Sequence, residues 1–206
     1  MQFMRWGSMI ASLKHRFVLL SMPKCASEAL ERALGPRADV VFRDPPTIKH
    51  CNYRRYARFV QPFFERFGDG TPETLCLFRE PVDWLNSWWR YRQRPFLDGK
   101  PNSTKGQSFD RFVQLYLDAE GPPATIGRQS RFVIDRDQEV GVDQLFRYEN
   151  LPRLTSWIET RTGWDVTLER VNTSPKVPGG SDLAPVTIAR MRAELARDFE
   201  IYDQIT

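Results

Sequence analysis

Apolar residues along this chain fall into two patterns. Short apolar runs occur at Phe17-Val18-Leu19-Leu20-Ser21-Met22 and Thr74-Leu75-Cys76-Leu77-Phe78, and shorter strands are predicted at Asp39–Phe42 and Leu145–Tyr148. Runs this short, without polar alternation, read as strands buried on both faces. Between them, apolar residues recur at helical spacing. Helices are predicted over about Ser27–Leu34, stopped by Gly35-Pro36; over Asn52–Phe67, divided at Pro62 and ended by Gly68; and over Val82–Arg92, Ser108–Asp118 and Asn150–Arg161. A last helix, Pro185–Gln204, carries Ile188, Met191, Leu195, Phe199 and Tyr202 as an amphipathic stripe. Gln93–Gln107, Gly121–Gly127 and Val171–Asp182 read as loops, and Gln129–Ile134 fits neither pattern. Buried strands alternating with helices predict an α/β fold in three layers around a central parallel sheet. No repeat, low-complexity tract or linker interrupts the chain, so residues 1–206 read as one domain.

Composition narrows the class. The 206 residues carry a net charge of +4, with 41% hydrophobic and 27% charged residues, an ordinary globular balance. The positive excess suits anionic ligands, but no run of Lys or Arg exceeds two residues, so nucleic acid is not an expected partner. Cys25, Cys51 and Cys76 are odd in number and lack metal-ligand spacing, which reads as reduced thiols of a cytoplasmic protein. Residues 1–24 contain no leader pattern, and no apolar stretch approaches the ~20 residues that span a bilayer.

Two segments carry chemistry. Pro23-Lys24-Cys25-Ala26-Ser27 joins a predicted strand to a predicted helix, a turn that aims backbone N–H groups at an anion. Lys24 adds a mobile charge and Ser27 a hydroxyl donor. The alternative is an ordinary connection with a solvated lysine. In Arg79-Glu80-Pro81 through Ser87, Arg79 leaves a strand end and Ser87 lies two turns into the next helix. A guanidinium fork and a hydroxyl suit phosphate oxygens; pairing of Arg79 with Glu80 or Asp83 is the plainer reading.

Ser21-Met22-Pro23-Lys24-Cys25-Ala26-Ser27-Glu28-Ala29-Leu30 resembles the 5′-phosphosulfate loop of PAPS-dependent sulfotransferases. Phe78-Arg79-Glu80-Pro81 with Ser87 resembles that family's 3′-phosphate motif, down to the eight-residue Arg–Ser spacing. Phe146-Arg147-Tyr148-Glu149-Asn150-Leu151, Val171–Lys176 and Asp198–Tyr202 look like its later segments, as found in bacterial and carbohydrate-type members. The resemblance runs from about Phe17 to Tyr202. It implies a P-loop-NTPase-like sulfotransferase fold binding PAPS and releasing PAP. Lys24, Cys25, Ala26 and Ser27 would hold the phosphosulfate, and Arg79 and Ser87 the 3′-phosphate.

Two departures stand out: Ala26 replaces the usual glycine, and Glu28 places a carboxylate beside the anion site. Glu28 can turn outward, serve as a base, or impair nucleotide binding. Tyr148 is a candidate adenine contact or a core residue of its strand, and Lys176 a candidate for charge at the nucleotide or acceptor or a solvated lysine. Lys24 would stabilise charge on the leaving oxygen. His50, between the two motifs, is the first candidate for general base and Glu28 the second. Arg92, Arg94, Lys100 and Lys105 border a loop that could cover an anionic acceptor. A small molecule or carbohydrate hydroxyl is the expected acceptor, and sulfuryl transfer requires no metal. The rivals are a nucleotide-dependent kinase and a non-catalytic binding module on the same fold.

Overall fold

A computed structural model describes residues 7–169 and 182–206. They gather into two compact units, the first drawn from Met1–Arg79, Gln129–Val171 and Ile205–Thr206, the second from Glu80–Arg128 and Asn172–Gln204.

The first unit is built on a five-stranded sheet: β1 (Met9–Ser12), β2 (Phe17–Leu20), β3 (Val40–Phe42), β4 (Glu73–Phe78) and β5 (Gln144–Arg147), in the order β3-β1-β2-β4-β5. β2, β4 and β5 run parallel, as expected. The sheet as a whole is mixed, however, because β1 pairs antiparallel with both β2 and β3. β1 is absent from the sequence reading, being short and flanked by serines, although all four of its residues are buried. Its orientation follows from its connection. Only Leu13-Lys14-His15-Arg16 separates it from β2, closed by Arg16 N–H donating to Leu13 O at 3.1 Å, whereas a parallel return needs a dozen residues or more.

Local signals place the helices of this unit. α1 (Ser27–Leu34) has its predicted bounds. A short α2 (Pro46–Lys49) precedes the predicted Asn52–Phe67 helix. That helix is one rod in three parts, α3 (Tyr53–Arg55), a π-helical turn (Tyr56–Val60) and α4 (Gln61–Phe67). The Asn52 side chain caps it by accepting from Arg55 N–H at 3.0 Å. Pro62 has no N–H for the Arg58 carbonyl, and the helix widens just before it, with Gln61 N–H donating five residues back to Tyr56 O. Gln129–Val133 forms α7, which settles the ambiguous stretch. α8 (Leu151–Thr162) ends at Gly163, left-handed at φ 72°. Tyr148 lies outside its predicted strand, in a 3-10 turn after β5.

The second unit packs α5 (Pro81–Tyr91), α6 (Phe109–Leu117), α9 (Pro185–Glu194) and α10 (Ala196–Gln204) against one another. The predicted final helix is thus two helices, broken at Leu195 (φ −106°, ψ 24°). The break re-aims the stripe: Met191, Leu195 and Ile201 are buried, while Ile188 is exposed.

Candidate functional site

In the register of the first unit Leu20 pairs with Cys76 and Phe78 with Arg147. The carboxyl ends of β2, β4 and β5 therefore share one edge of the sheet, where ligands of α/β folds gather. Three chain exits leave from it: the Ser21–Ala26 loop, Arg79 and Tyr148.

The loop turns back twice within three residues, with Lys24 at φ 68° and Ala26 at φ 52°. Two left-handed positions so close concentrate amides on one side of the backbone. For non-glycine residues each costs roughly 1–2 kcal/mol. Cys25 N–H donates to Met22 O at 3.3 Å, and Leu30 N–H makes the first helical bond to Ala26 O at 3.0 Å. Ala26 supplies no side-chain cap, so the amides of Ser27, Glu28 and Ala29 lack intrahelical acceptors and give α1 a positive end.

Arg79 is only 7% exposed. Its Nη1 donates to the Lys24 carbonyl at 2.9 Å, and its guanidinium lies 4.1 Å from the centroid of the Tyr148 ring. The strand end carrying Arg79 is thereby tied to the loop carrying Lys24, and Tyr148 serves as a platform for the guanidinium. A residue not singled out in the sequence holds the Arg79 backbone. Gln129 is fully buried, accepts from Arg79 N–H at 3.0 Å and donates to Arg79 O at 2.8 Å. No spacing rule links Gln129 to Arg79, and among Arg128, Ser130 and Arg131 nothing in the sequence marks it out.

His50 closes α2 and reaches the same loop, its Nδ1 2.8 Å from the Ser21 carbonyl. A carbonyl can only accept, so Nδ1 carries the proton and Nε2 presents its lone pair. Burial lowers the imidazole's pKa below its ordinary value; the Ser21 bond opposes this and the Lys49 charge adds to it. A neutral ring with a fixed tautomer is what a general base requires. Lys49 and Ser27 also come together, over Gly7. A Cβ built on Gly7 would lie 2.7 Å from Ser27 Oγ and 3.5 Å from Lys49 Cε, and Gly7 adopts φ +106°. The missing side chain lets the backbone pass beside both groups.

Of the two carboxylates nearby, Glu28 pairs with Arg32 at 2.9 Å along the exposed side of α1. This partner offsets the charge of Glu28. Glu31, unremarked in the sequence, is buried. Its Oε2 accepts from Gly7 N–H (2.6 Å), Ser8 N–H (3.1 Å) and Ser8 Oγ (2.8 Å), and its Oε1 from Arg43 Nε (2.7 Å). The Ser21 hydroxyl donates to the Ser8 carbonyl. Glu31 therefore anchors the start of β1 beneath the loop and has a structural task.

In the second unit Ser87 is buried on α5. Glu80, in the position next to Arg79, caps α5 by accepting from Asp83 N–H at 2.7 Å. In the predicted acceptor loop Lys105 pairs with Asp98 at 2.5 Å. Arg92 is buried and lines a pocket of about 240 Å³ with Asn102, Ser103, Thr104 and Gln107. Lys176 lies outside the described residues. Cys25, Cys51 and Cys76 are buried and outside any disulfide, and among the described residues no group of three or more His, Cys, Asp or Glu could hold a metal ion.

Searches against models of protein families, curated proteins and solved structures find no match to this chain.

Proposed function

We propose that this chain is a sulfotransferase that transfers the sulfuryl group of PAPS to a hydroxyl acceptor, on a P-loop-like nucleotide fold. The observation that carries the reading is the meeting of three elements at one sheet edge. The Arg79 guanidinium bonds the Lys24 carbonyl, and the His50 imidazole bonds the Ser21 carbonyl of the same loop. Anion donors and a neutral base thus share one short segment.

In this proposal the loop amides, Lys24 and Ser27 receive the 5′-phosphosulfate, and Arg79 the 3′-phosphate. The bond from sulfur to the bridging oxygen breaks, and its electron pair leaves with PAP, where the Lys24 ammonium offsets the developing charge. The acceptor oxygen attacks in line, and its proton passes to His50 Nε2. Glu28, engaged by Arg32, is the weaker candidate for base. The chemistry of such a site is positioning plus electrostatics.

Titration calorimetry with PAP tests the reading. Micromolar binding is expected, with 5′-AMP weaker by at least on the order of 10-fold, since each charge-assisted bond from Arg79 to the 3′-phosphate is worth about 1.5–3 kcal/mol. Absence of PAP binding would remove the proposal and leave a non-catalytic module. Tighter binding of magnesium ATP than of PAP would favour phosphoryl transfer. Acceptor chemistry is then read from transfer of labelled sulfate to a panel of hydroxyl compounds, sugars first.

A further inference from the structure

The rod from Tyr53 to Phe67 has an inner and an outer face. Tyr56, Val60 and Phe64 point inward and are 0, 7 and 0% exposed. The outer face carries Phe59, Phe63 and Phe67, exposed by 66, 51 and 72%. Their four-residue spacing stacks them along one side of the rod, and the Phe63 and Phe67 rings touch at 5.0 Å between centroids. Single exposed apolar residues need no explanation, but a contiguous row of aromatics marks a surface that meets something else.

Charge on the same face says what that something is. Arg55, Arg58 and Arg66 are all exposed, and the Arg58 guanidinium lies 5.0 Å over the Phe59 ring. Among the described residues none of the three pairs with a carboxylate, and residues 1–6 and 170–181 contain no Asp or Glu that could supply one. The one acidic residue of the rod, Glu65, is taken up by Gln61 (2.8 Å) and Thr71 (2.7 Å). An aromatic row with uncompensated arginines wants an occupant that is apolar within and anionic at its surface. That is the profile of a bilayer containing anionic lipids. The aromatic row from Phe59 to Phe67 is about 12 Å long at 1.5 Å per residue, suited to lying in the interface. Among the described residues no helix is long and apolar enough to cross a membrane, so the contact is peripheral.

We propose that Tyr53–Phe67 is an interfacial anchor that seats Phe59, Phe63 and Phe67 at the headgroup–acyl boundary of an anionic membrane, with Arg55, Arg58 and Arg66 on lipid phosphates. The proposal is independent of the nucleotide reading, since it uses no residue of that site.

Cosedimentation of the full chain with lipid vesicles tests it. Binding is expected to vesicles containing phosphatidylglycerol, to weaken in high salt, and to be at least tenfold weaker to phosphatidylcholine alone, given roughly 1 kcal/mol per arginine near an anionic surface. Phe63→Ser with Phe67→Ser should lower the partition coefficient at least about tenfold, because two rings no longer leave water. Arg58→Gln with Arg66→Gln should remove most of the salt dependence. All four side chains are exposed, so thermal melts of both variants should match the parent. The proposal is overturned if the parent fails to sediment with anionic vesicles, or if the phenylalanine variant binds as well as the parent. It is equally overturned if sedimentation equilibrium shows a dimer that the phenylalanine variant abolishes, which would assign the face to a second copy.

Discussion

Gln129 offers a sharp test of how the Arg79 position is held. Its carboxamide is fully buried and makes two bonds to the main chain of Arg79, at 3.0 and 2.8 Å. Gln129→Leu keeps the volume roughly constant but strands one N–H and one C=O. Each stranded buried group costs about 1–3 kcal/mol, and the added apolar burial returns about 1 kcal/mol. The net loss is about 3 kcal/mol, large against a typical stability of 5–15 kcal/mol. With a urea slope of about 2–3 kcal/mol/M, the unfolding midpoint should drop by about 1 M or more. Gln129→Glu sharpens the test. Protonated, it can donate to Arg79 O and accept from Arg79 N–H; ionised, it sets a buried charge against the carbonyl. Its folded pKa must then lie above the unfolded value of about 4.3. Stability relative to the parent is therefore greatest near pH 4 and falls as pH rises through the folded pKa. Urea unfolding of parent and both variants between about pH 4 and 8 measures this. A Leu variant within about 1 kcal/mol of the parent, or a Glu-minus-parent difference independent of pH, would refute the clamp.

Two further tests address the loop. His50→Asn can keep the donor to Ser21 O but removes the imidazole; on the proposed transfer turnover should then fall by about 10²–10⁴ while PAP affinity stays within about twofold, and unchanged turnover would take His50 out of the reaction. Since burial depresses the His50 pKa below 6.5, its neutral form should give a flat rate above that pH and a decline below it. Stability tied to His50 should likewise be complete above pH 6.5 and lost as acid protonates the folded ring, a loss absent from the Asn variant. Ala26→Gly should raise stability by about 0.5–1 kcal/mol, because relief at φ 52° exceeds the added entropy of the unfolded chain. A drop in thermal midpoint would contradict that account.

Much of the chain was legible because its cues are local. Apolar runs marked β2 and β4, and the shorter β3 and β5 were also read, each to within a residue or two. Asn52 caps its helix as read, accepting from Arg55 N–H, and Ser108 stands at the start of its own; the caps read at Ser27 and Asn150 do not form. Two exits of the candidate site, the loop after β2 and Arg79 after β4, were visible as residues at strand ends. β1 escaped because its four residues are too few to show a period, and it occupies a slot that only neighbouring strands define.

What the sequence by itself determined is the order of elements and the chemistry carried at their ends, since caps, glycines and apolar runs act on residues a few positions away. What only the tertiary structure decided is which distant groups meet. The mixed sheet depends on β1 entering between β2 and β3. The His50 tautomer depends on the ring meeting a carbonyl 29 residues away, and the fixing of Arg79 on a glutamine 50 residues along the chain. Those bonds form because a buried polar group must find a partner wherever packing brings one, and packing is a property of the whole chain rather than of any stretch of it.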